Sequence, residues 1–368
     1  VMTTAPTTCA DLLIRYLELE GVSHVFGIPG SANAHTLYSL GRSDRPDDER
    51  GLQYVICRQE TGAAYIADGY ARSSGTLAAV LITSGPGATN ALTGVVNAHT
   101  SRTPMLVMSG EVAQQYYGRA YLQEGVDADL DIDGVYRNAC AYSAVVSAPS
   151  NFAELLMQAL RQARSVPGAA THLSLPDNIM AAAVPDGTVV PDSPATYRVQ
   201  PTGADRETMQ RIVDGLLADP YPLVFIGNGA RQALRDDARR AAFVEVIDRF
   251  AIPVMTDPDG KGVFPESHPM SLRNFGLAQS EWPRYYLAPK TLDPDRPDRF
   301  GSLVVIGSEL GELATVVPAS DPSAVHYTSE IVPTGMFAHI DANQAIIGRN
   351  YAITHGLVAD AAHAIDQF

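Results

Sequence analysis

The sequence is poor in cysteine and in positive charge. Its 368 residues include three cysteines, and 26 Lys and Arg stand against 41 Asp and Glu, giving a formal net charge of -15 at pH 7. Cys9, Cys57 and Cys140 have no CxxC spacing, so they predict neither a zinc site nor a disulfide framework. A surface of this sign repels nucleic acids and anionic membranes. We therefore expect no nucleic-acid partner and no membrane partner.

Long apolar segments are also missing. The sequence has no run of about 18 apolar residues, the length that a membrane-spanning helix needs. Its first residues lack the basic segment and apolar run of a signal peptide. Together with the few, unpatterned cysteines, this favours a cytoplasmic location. Hydrophobic residues make up 46% of the chain, and its length predicts two or three domains at about 150 residues each.

Short apolar runs alternate with helical patterns along most of the chain. Thr8 precedes apolar residues at helical spacing, and the continuous apolar run 77–83 is typical of a strand buried on both faces of a parallel sheet. Residues 183–202 interrupt the alternation with four prolines. We predict an α/β fold of two doubly wound parallel-sheet domains, 1–182 and 203–368, joined by a linker over 183–202.

Two regions of the second half have distinct predictions. The pattern over 230–250 predicts a single helix that follows the strand at 223–227. The polar, Pro- and Arg-rich stretch 284–300 predicts a long surface loop.

Three strand ends in the first half carry residues that suit a ligand site. Pro29 and Gly30 follow the first strand, Glu60 follows the second, and residues 83–87 close the third just before a helix that contains Asn90. Parallel sheets bind ligands at the carboxyl ends of their strands. Each feature alone also fits an ordinary tight turn or a glutamate stabilised at a helix start. The third turn is not GxxxxGK[ST], so no phosphate-binding P-loop is predicted.

The order of these turns and the motifs around them resemble the pyrimidine-binding domain of acetolactate synthase and related thiamine-diphosphate-dependent enzymes. The motifs are HVFGIPG, RQETGAAYIADGYARSSG, LITSGPGATNALTGVVNA, TPMLVMSGEV and YLQEG. In the second half VFIGNGA, KGVFPESHP, VIGSELGE and HIDANQAIIGRNY resemble the central domain of the same family. The resemblance therefore implies a pyrimidine-binding domain over 1–182 and a central domain over 203–368.

The resemblance also implies roles for individual residues. Glu60 matches the glutamate that hydrogen-bonds a pyrimidine nitrogen of the cofactor, which makes a cofactor carbon nucleophilic toward a 2-oxo acid. Gln123 matches a glutamine that reaches into the active site, so both are predicted catalytic residues. The predicted cofactor-binding residues are Pro29, Gly30, Glu60, Thr83, Gly85, Pro86, Gly87 and Asn90. His99 has no usual family counterpart and fits either a structural or a catalytic role, whereas His24 and His35 are interpreted as structural.

The diphosphate-binding domain of the family has no counterpart in this sequence. That domain holds Mg²⁺ through GDG and a downstream Asn pair, and the sequence contains neither GDG nor two adjacent asparagines. We therefore predict no metal ligands in this chain and expect a partner chain to bind the diphosphate and Mg²⁺. The chain would then be one subunit of a split enzyme for decarboxylation and carboligation of a 2-oxo acid such as pyruvate. It would self-associate through the pyrimidine-binding domain into a heterotetramer.

Three alternatives stay open at this point. The chain also fits a catalytically incomplete fragment or homologue with a binding or regulatory role. FAD in the central domain is an option that the sequence does not favour, because Gly227-Asn228-Gly229 lacks the third glycine of GxGxxG and position 232 is Gln. The same gap disfavours a nicotinamide-dependent dehydrogenase.

Overall fold

The protein forms two compact units. The computed structural model describes residues 7–43, 51–126, 130–199, 201, 203–288, 294–295, 299–318 and 324–368. The chain divides into Val1–Gln200 and Pro201–Phe368, called here the first and second unit. Each unit contains one sheet of six parallel strands with helices around it, which confirms the predicted α/β fold class.

The first unit alternates strands and helices. In chain order its elements are α1 (Cys9–Leu19), β1 (His24–Gly27), α2 (Ala34–Ser43), β2 (Gln53–Ile56), α3 (Glu60–Ser74), β3 (Ala78–Ile82), α4 (Pro86–Thr100), β4 (Met105–Glu111), α5 (Ile132–Arg137), β5 (Tyr142–Val145), α6 (Pro149–Arg164), β6 (Ala170–Pro176) and α7 (Asp177–Ala181). The sheet order is β2-β1-β3-β4-β6-β5. The chain thus steps outward from β1 to β2 and then returns to place β3 on the other side of β1.

Helix α1 shows how local sequence fixes an element. The Thr8 side chain accepts a hydrogen bond from the Asp11 backbone N–H, and Asp11 in turn accepts one from the Thr8 N–H. This reciprocal cap satisfies backbone donors that would otherwise be unpaired at the helix start. Leu12, Tyr16 and Leu17 are buried on one face, as their spacing predicts. Strand β3 is buried along its whole length, which also confirms the prediction.

Helices α3 and α4 pack unusually close together. A Cβ atom placed on Gly94 of α4 would lie 2.6 Å from the Cβ of Ala64 on α3. Asp68 of α3 is buried, and its two carboxylate oxygens accept hydrogen bonds from Arg72 and from Asn97 of α4. Small residues and a buried hydrogen bond therefore fix α3 and α4 to each other.

The second unit has its own parallel sheet. Its elements are α8 (Arg206–Leu217), β7 (Pro222–Ile226), α9 (Asp237–Arg249), β8 (Val254–Thr256), β9 (Ser271–Asn274), α10 (Glu281–Leu287), β10 (Ser302–Ile306), α11 (Glu312–Thr315), β11 (Val317–Pro318), β12 (Ala324–Val325), β13 (Phe337–Asp341), β14 (His355–Val358) and α12 (Ala361–Gln367). The sheet order is β14-β13-β10-β7-β8-β9. The short β11 and β12 form a separate antiparallel pair.

Two predictions for the second unit are wrong. The single helix expected over 230–250 is broken, because Asp236 is extended and its side chain accepts the Arg239 N–H as the cap of α9. The surface loop expected over 284–300 is wrong at both ends, since Leu287 belongs to α10 and Phe300 is fully buried. Part of that stretch lies outside the described residues.

The segment predicted as a linker packs against the first unit. Tyr197 is buried, and its ring centroid lies 5.7 Å from that of Tyr16 on α1. Arg198 forms an ion pair with the buried Glu20. The described part of 183–202 thus closes one side of the first core. In the part of the chain that the structure describes, no helix has the length and apolar character to cross a membrane.

We expect Gly94→Ala to lower the free energy of unfolding by about 1–3 kcal/mol, because the added methyl group overlaps Ala64. The matched control is Gly41→Ala on α2, where a Cβ would meet no atom within 4 Å. That change should raise stability by about 0.5–1 kcal/mol through the better helix propensity of alanine. Denaturant titration measures both, and equal effects would contradict the close-packing interpretation.

Candidate functional site

The carboxyl edge of the first sheet has a switch point between β1 and β3, where the chain leaves in opposite directions. Open α/β sheets bind ligands in the crevice at such a point. The loop after β1 carries Pro29, which is exposed, and Gly30. A Cβ on Gly30 would lie 2.3 Å from Thr83 Oγ1, so only glycine permits this approach of the two loops. The structure thus brings two predicted turns into contact.

Glu60 joins the same cluster from β2. It is the first residue of α3 and is only 8% exposed. Its Oε2 accepts a hydrogen bond of 3.1 Å from Asn90 Nδ2, and the Thr61 hydroxyl donates to the Asn90 backbone oxygen. A Cβ on Gly87 would lie 3.5 Å from Glu60 Oε1 and 2.7 Å from Thr83 Cγ2. Among the described residues Oε1 has no hydrogen-bond partner, so this oxygen is available to a ligand.

The turn at 83–87 supplies further polar groups. The Thr83 hydroxyl is buried without a hydrogen-bond partner among the described residues. An unsatisfied buried hydroxyl is costly, and such groups commonly mark a ligand position. Helix α4 begins at Pro86 directly after this turn, so its first backbone N–H groups also face the carboxyl edge of the sheet. The edge thus presents both donors and acceptors of hydrogen bonds.

A second segment crosses the same turn. Gly85 has φ +55°, and a Cβ there would lie 2.7 Å from the backbone oxygen of Gln123. Gln123 itself has φ +63°, a conformation that non-glycine residues rarely adopt. Its side chain is exposed. The structure therefore brings Gln123 beside the glycine turn through its backbone.

Sequence reasoning missed Glu111. This residue ends β4, is only 1% exposed, and accepts hydrogen bonds at Oε1 from the backbone N–H of Val112 (2.8 Å) and Gly125 (3.2 Å). Burial raises the pKa of Glu111 to about 7. A Cβ on Gly125 would lie 2.7 Å from Glu111 Oε2 and 3.4 Å from the Gly85 nitrogen, so Glu111 adjoins the turn from the side of β4. Its only sequence signal is an acidic residue just beyond an apolar strand.

The three histidines considered from the sequence have other surroundings. The His24 imidazole hydrogen-bonds with Ser23, and His35 with Asp177. His99 lies in the last turn of α4, about 20 Å along the helix from the glycine turn by the usual rise per residue. Burial and nearby Arg102 lower the pKa of His99. None of the three belongs to the cluster around Glu60.

In the second unit the loops that follow β7 and β10 pack closely on each other. A Cβ on Gly227 would lie 2.3 Å from Gly307 O, and one on Gly229 would lie 2.8 Å from Gly307 Cα. Glycine is thus required at positions 227 and 229 because the two neighbouring loops pack closely together. Asp257, which follows β8, is buried beside them and accepts a hydrogen bond from Ser308.

Across the described ranges, no group of three or more His, Cys, Asp and Glu side chains is placed to hold a metal ion.

Two family models match the chain. Residues 7–130 match the model described as thiamine pyrophosphate enzyme, N-terminal TPP binding domain, and residues 209–368 match thiamine pyrophosphate enzyme, central domain. The first match contains the loops around Glu60, Thr83 and Gln123, and the second falls within the second unit.

Individual relatives point the same way. The chain is 29% identical over 356 residues to the acetolactate synthase of Arthrospira platensis, covering 96% of this chain and 56% of that protein. It is 31% identical over 272 residues to the acetolactate synthase isozyme 3 large subunit of Escherichia coli K12, covering 73% and 44%. It is 27% identical over 344 residues to the acetolactate synthase large subunit of Lactococcus lactis, covering 94% of this chain and 54% of that protein. The chain thus spans about half the length of these curated relatives.

We expect Gly85→Ala to destabilise the first unit by about 2–4 kcal/mol, from backbone strain and from overlap with the Gln123 oxygen. Gly187→Ala is the matched control, because Gly187 has φ +81° but a Cβ there would meet no atom within 4 Å. It should cost only about 1 kcal/mol, the strain of a left-handed alanine. Denaturant midpoints report both costs. A Gly85 variant no less stable than the control would show that the segment at 123 does not press on the turn.

Proposed function

The chain belongs to the thiamine pyrophosphate enzyme family of the acetolactate synthase type, and on that premise we propose that its first unit binds the aminopyrimidine of thiamine diphosphate for a reaction on a 2-oxo acid. The reaction proposed is decarboxylation followed by carboligation. When bound, the cofactor supplies the carbon nucleophile that adds to the ketone of such an acid.

The pairing of Glu60 with Asn90 carries this proposal. The amide fixes one carboxylate oxygen at 3.1 Å, and the second oxygen lies beside the glycine turn without a protein partner among the described residues. A carboxylate held in this way can accept a hydrogen bond from one ring nitrogen and keep the corresponding proton in place. Because Glu60 is buried, that bond is stronger than it would be in water.

The neighbouring residues have binding roles in this proposal. Pro29 and Gly30 bring the β1 loop against Thr83, whose buried hydroxyl provides a further polar contact for the ring. Gly85 and Gly87 keep side chains out of the space in front of α4, and Pro86 begins that helix. Gln123 borders that space from the segment above the turn and is proposed to contact the substrate.

We propose that the diphosphate and Mg²⁺ are held by residues outside this sequence, on a partner chain of a split enzyme. Mg²⁺ prefers carboxylate and amide oxygens together with phosphate oxygens. The sequence has no GDG, and the described residues offer no cluster of three ligands. A further part of a longer protein would serve the same chemistry.

We also propose that the chain self-associates through the first unit. Tyr65 and Ile66 of α3 are 44% and 49% exposed, and they share one helix face with Gly62 and Gly69. Val96 of the neighbouring α4 is 38% exposed. Exposed apolar and small residues on two packed helices are typical of a helix-to-helix interface.

We expect Glu60→Gln to abolish turnover, by at least about 100-fold, because a neutral amide is a weaker acceptor and holds no proton for the ring. The assay combines this chain with a chain carrying GDG and a downstream Asn pair, together with thiamine diphosphate, Mg²⁺ and pyruvate, and follows pyruvate consumption. Glu154→Gln, an exposed change on α6, is the control and should leave turnover unchanged.

Near-normal turnover of Glu60→Gln would overturn the catalytic assignment. Turnover by the mixed chains but by neither alone supports the split enzyme. Cofactor binding without turnover for every such partner would favour the binding or regulatory role.

Ile66→Glu should weaken self-association by at least about tenfold, because it places a charge in the centre of the apolar face. Sedimentation equilibrium over a range of concentrations measures the constant. Leu217→Glu, at a comparably exposed position of α8 in the second unit, should leave it unchanged. A wild-type chain that stays monomeric at high concentration would contradict the proposed contact.

A further inference from the structure

A buried carboxylate lies on the β4 side of the glycine turn, opposite Glu60. We propose that Glu111 is a positioning residue that anchors the segment 117–125, and with it Gln123, against the turn at 85–87, and that it does so best when protonated. The role of Gln123 in the reaction rests on the proposed function, whereas the anchoring is a property of this chain alone.

The anchor point is rigid. Glu111 is the last residue of β4, which lies between β3 and β6 inside the sheet. Its Oε1 accepts two backbone hydrogen bonds, from the adjacent Val112 and from Gly125, which is 14 residues further along the chain. The second bond ties the end of the segment to the sheet. In the described residues between them, only a short 3-10 turn at Gln114–Tyr116 is regular structure.

Gly125 contacts both Glu111 and the glycine turn. Its backbone lies between Glu111 and Gly85, since a Cβ there would lie 2.7 Å from Glu111 Oε2 and 3.4 Å from the Gly85 nitrogen. Two residues earlier, the Gln123 backbone oxygen lies so close to Gly85 that a Cβ there would be 2.7 Å away. Gln123 holds a positive φ, which persists only where the surroundings impose it. Loss of the hydrogen bond between Gly125 and Glu111 is therefore expected to let Gln123 move away from the turn.

Protonation of Glu111 is expected to strengthen its contact with the segment 117–125. Oε2 is buried without a hydrogen-bond partner in the described part of the chain, and so is the hydroxyl of Tyr117 in the same segment. Glu124 is the other charged group whose field reaches Glu111, and it raises the pKa of Glu111 further. An ionised Glu111 would be a buried charge beside a second acid, whereas the protonated form can donate from Oε2.

The pKa of Glu111 gives the pH range of the effect. Burial raises it to about 7 in the closed segment, from an ordinary value of 4.5. Opening of the segment gives the carboxyl group access to water and an ordinary pKa. The open form then binds fewer protons than the closed form between these values. The free energy that holds the segment 117–125 against the turn is therefore largest below about pH 4.5. It decreases as the pH rises toward about 7 and is constant above that.

Hydrogen exchange of the 368-residue chain, followed by mass spectrometry of peptides from 117–125, tests the proposal without an activity assay. Protection factors remove the intrinsic pH dependence of exchange. For the wild type we expect protection to fall by at least about threefold between pH 5.5 and pH 7.5. Glu111→Gln keeps the Oε1 acceptor and cannot ionise, so its protection should stay constant over this range.

Two further variants serve as controls. Glu124→Gln removes the other carboxylate of the segment and should retain the pH-dependent fall. Gly125→Ala adds a methyl group 2.7 Å from Glu111 Oε2, so its protection should be low at every pH. Gly125→Ala also keeps the test decisive if Glu111→Gln does not fold.

An equal fall in Glu111→Gln, or no fall in the wild type, would overturn the anchoring role. A protected segment in Gly125→Ala would do the same. These results do not depend on turnover, so an active Glu60→Gln variant would refute the proposed function and leave this inference standing.

Discussion

The close approach of glycine backbones to the Thr83 side chain and to the Gln123 backbone at one sheet edge is the constraint on which the candidate site depends. Gly30, Gly85 and Gly87 each lie where a side chain would collide with Thr83 or Gln123. Removing these side chains lets loops from β1, β3 and the end of β4 converge around one carboxylate. The glycines thus act by letting Thr83 and the segment at Gln123 lie close to the turn beside Glu60, rather than by contributing chemistry themselves.

The two units show that the same topology can give different results. Both sheets have a switch point, and glycine-rich loops follow the strands there. In the first unit the loops leave a buried hydroxyl and a carboxylate oxygen without protein partners among the described residues. In the second unit Gly227 and Gly229 pack on Gly307, and Asp257 is satisfied by Ser308. Glycine content at a strand end is therefore an insufficient sign of a ligand site, and an unpaired hydroxyl alone is also insufficient, because Thr256 at the end of β8 is likewise buried without a partner among the described residues.

Much of the fold and part of the site were predictable from local sequence. The period-matched apolar runs located α1 and β3, and the turn residues located the loops at 30 and 85 because glycine is required there. The break before α9 was missed because Asp236 fits a helix by periodicity and a cap by chemistry. Glu111 was missed because its burial depends on Gly125, far along the chain. Contacts of that kind have no local signature.

The contact between Gly94 and Ala64 has a mechanical consequence. Because α3 and α4 are in direct contact there, the packing of the two helices also fixes the position of Glu60 at the start of α3 relative to Asn90 on α4. A force applied at the exposed Tyr65 or Ile66 would therefore displace Glu60 and Asn90 together and preserve the hydrogen bond between them. Such a displacement would change the distance of Glu60 and Asn90 from the β1 loop without changing the distance between them.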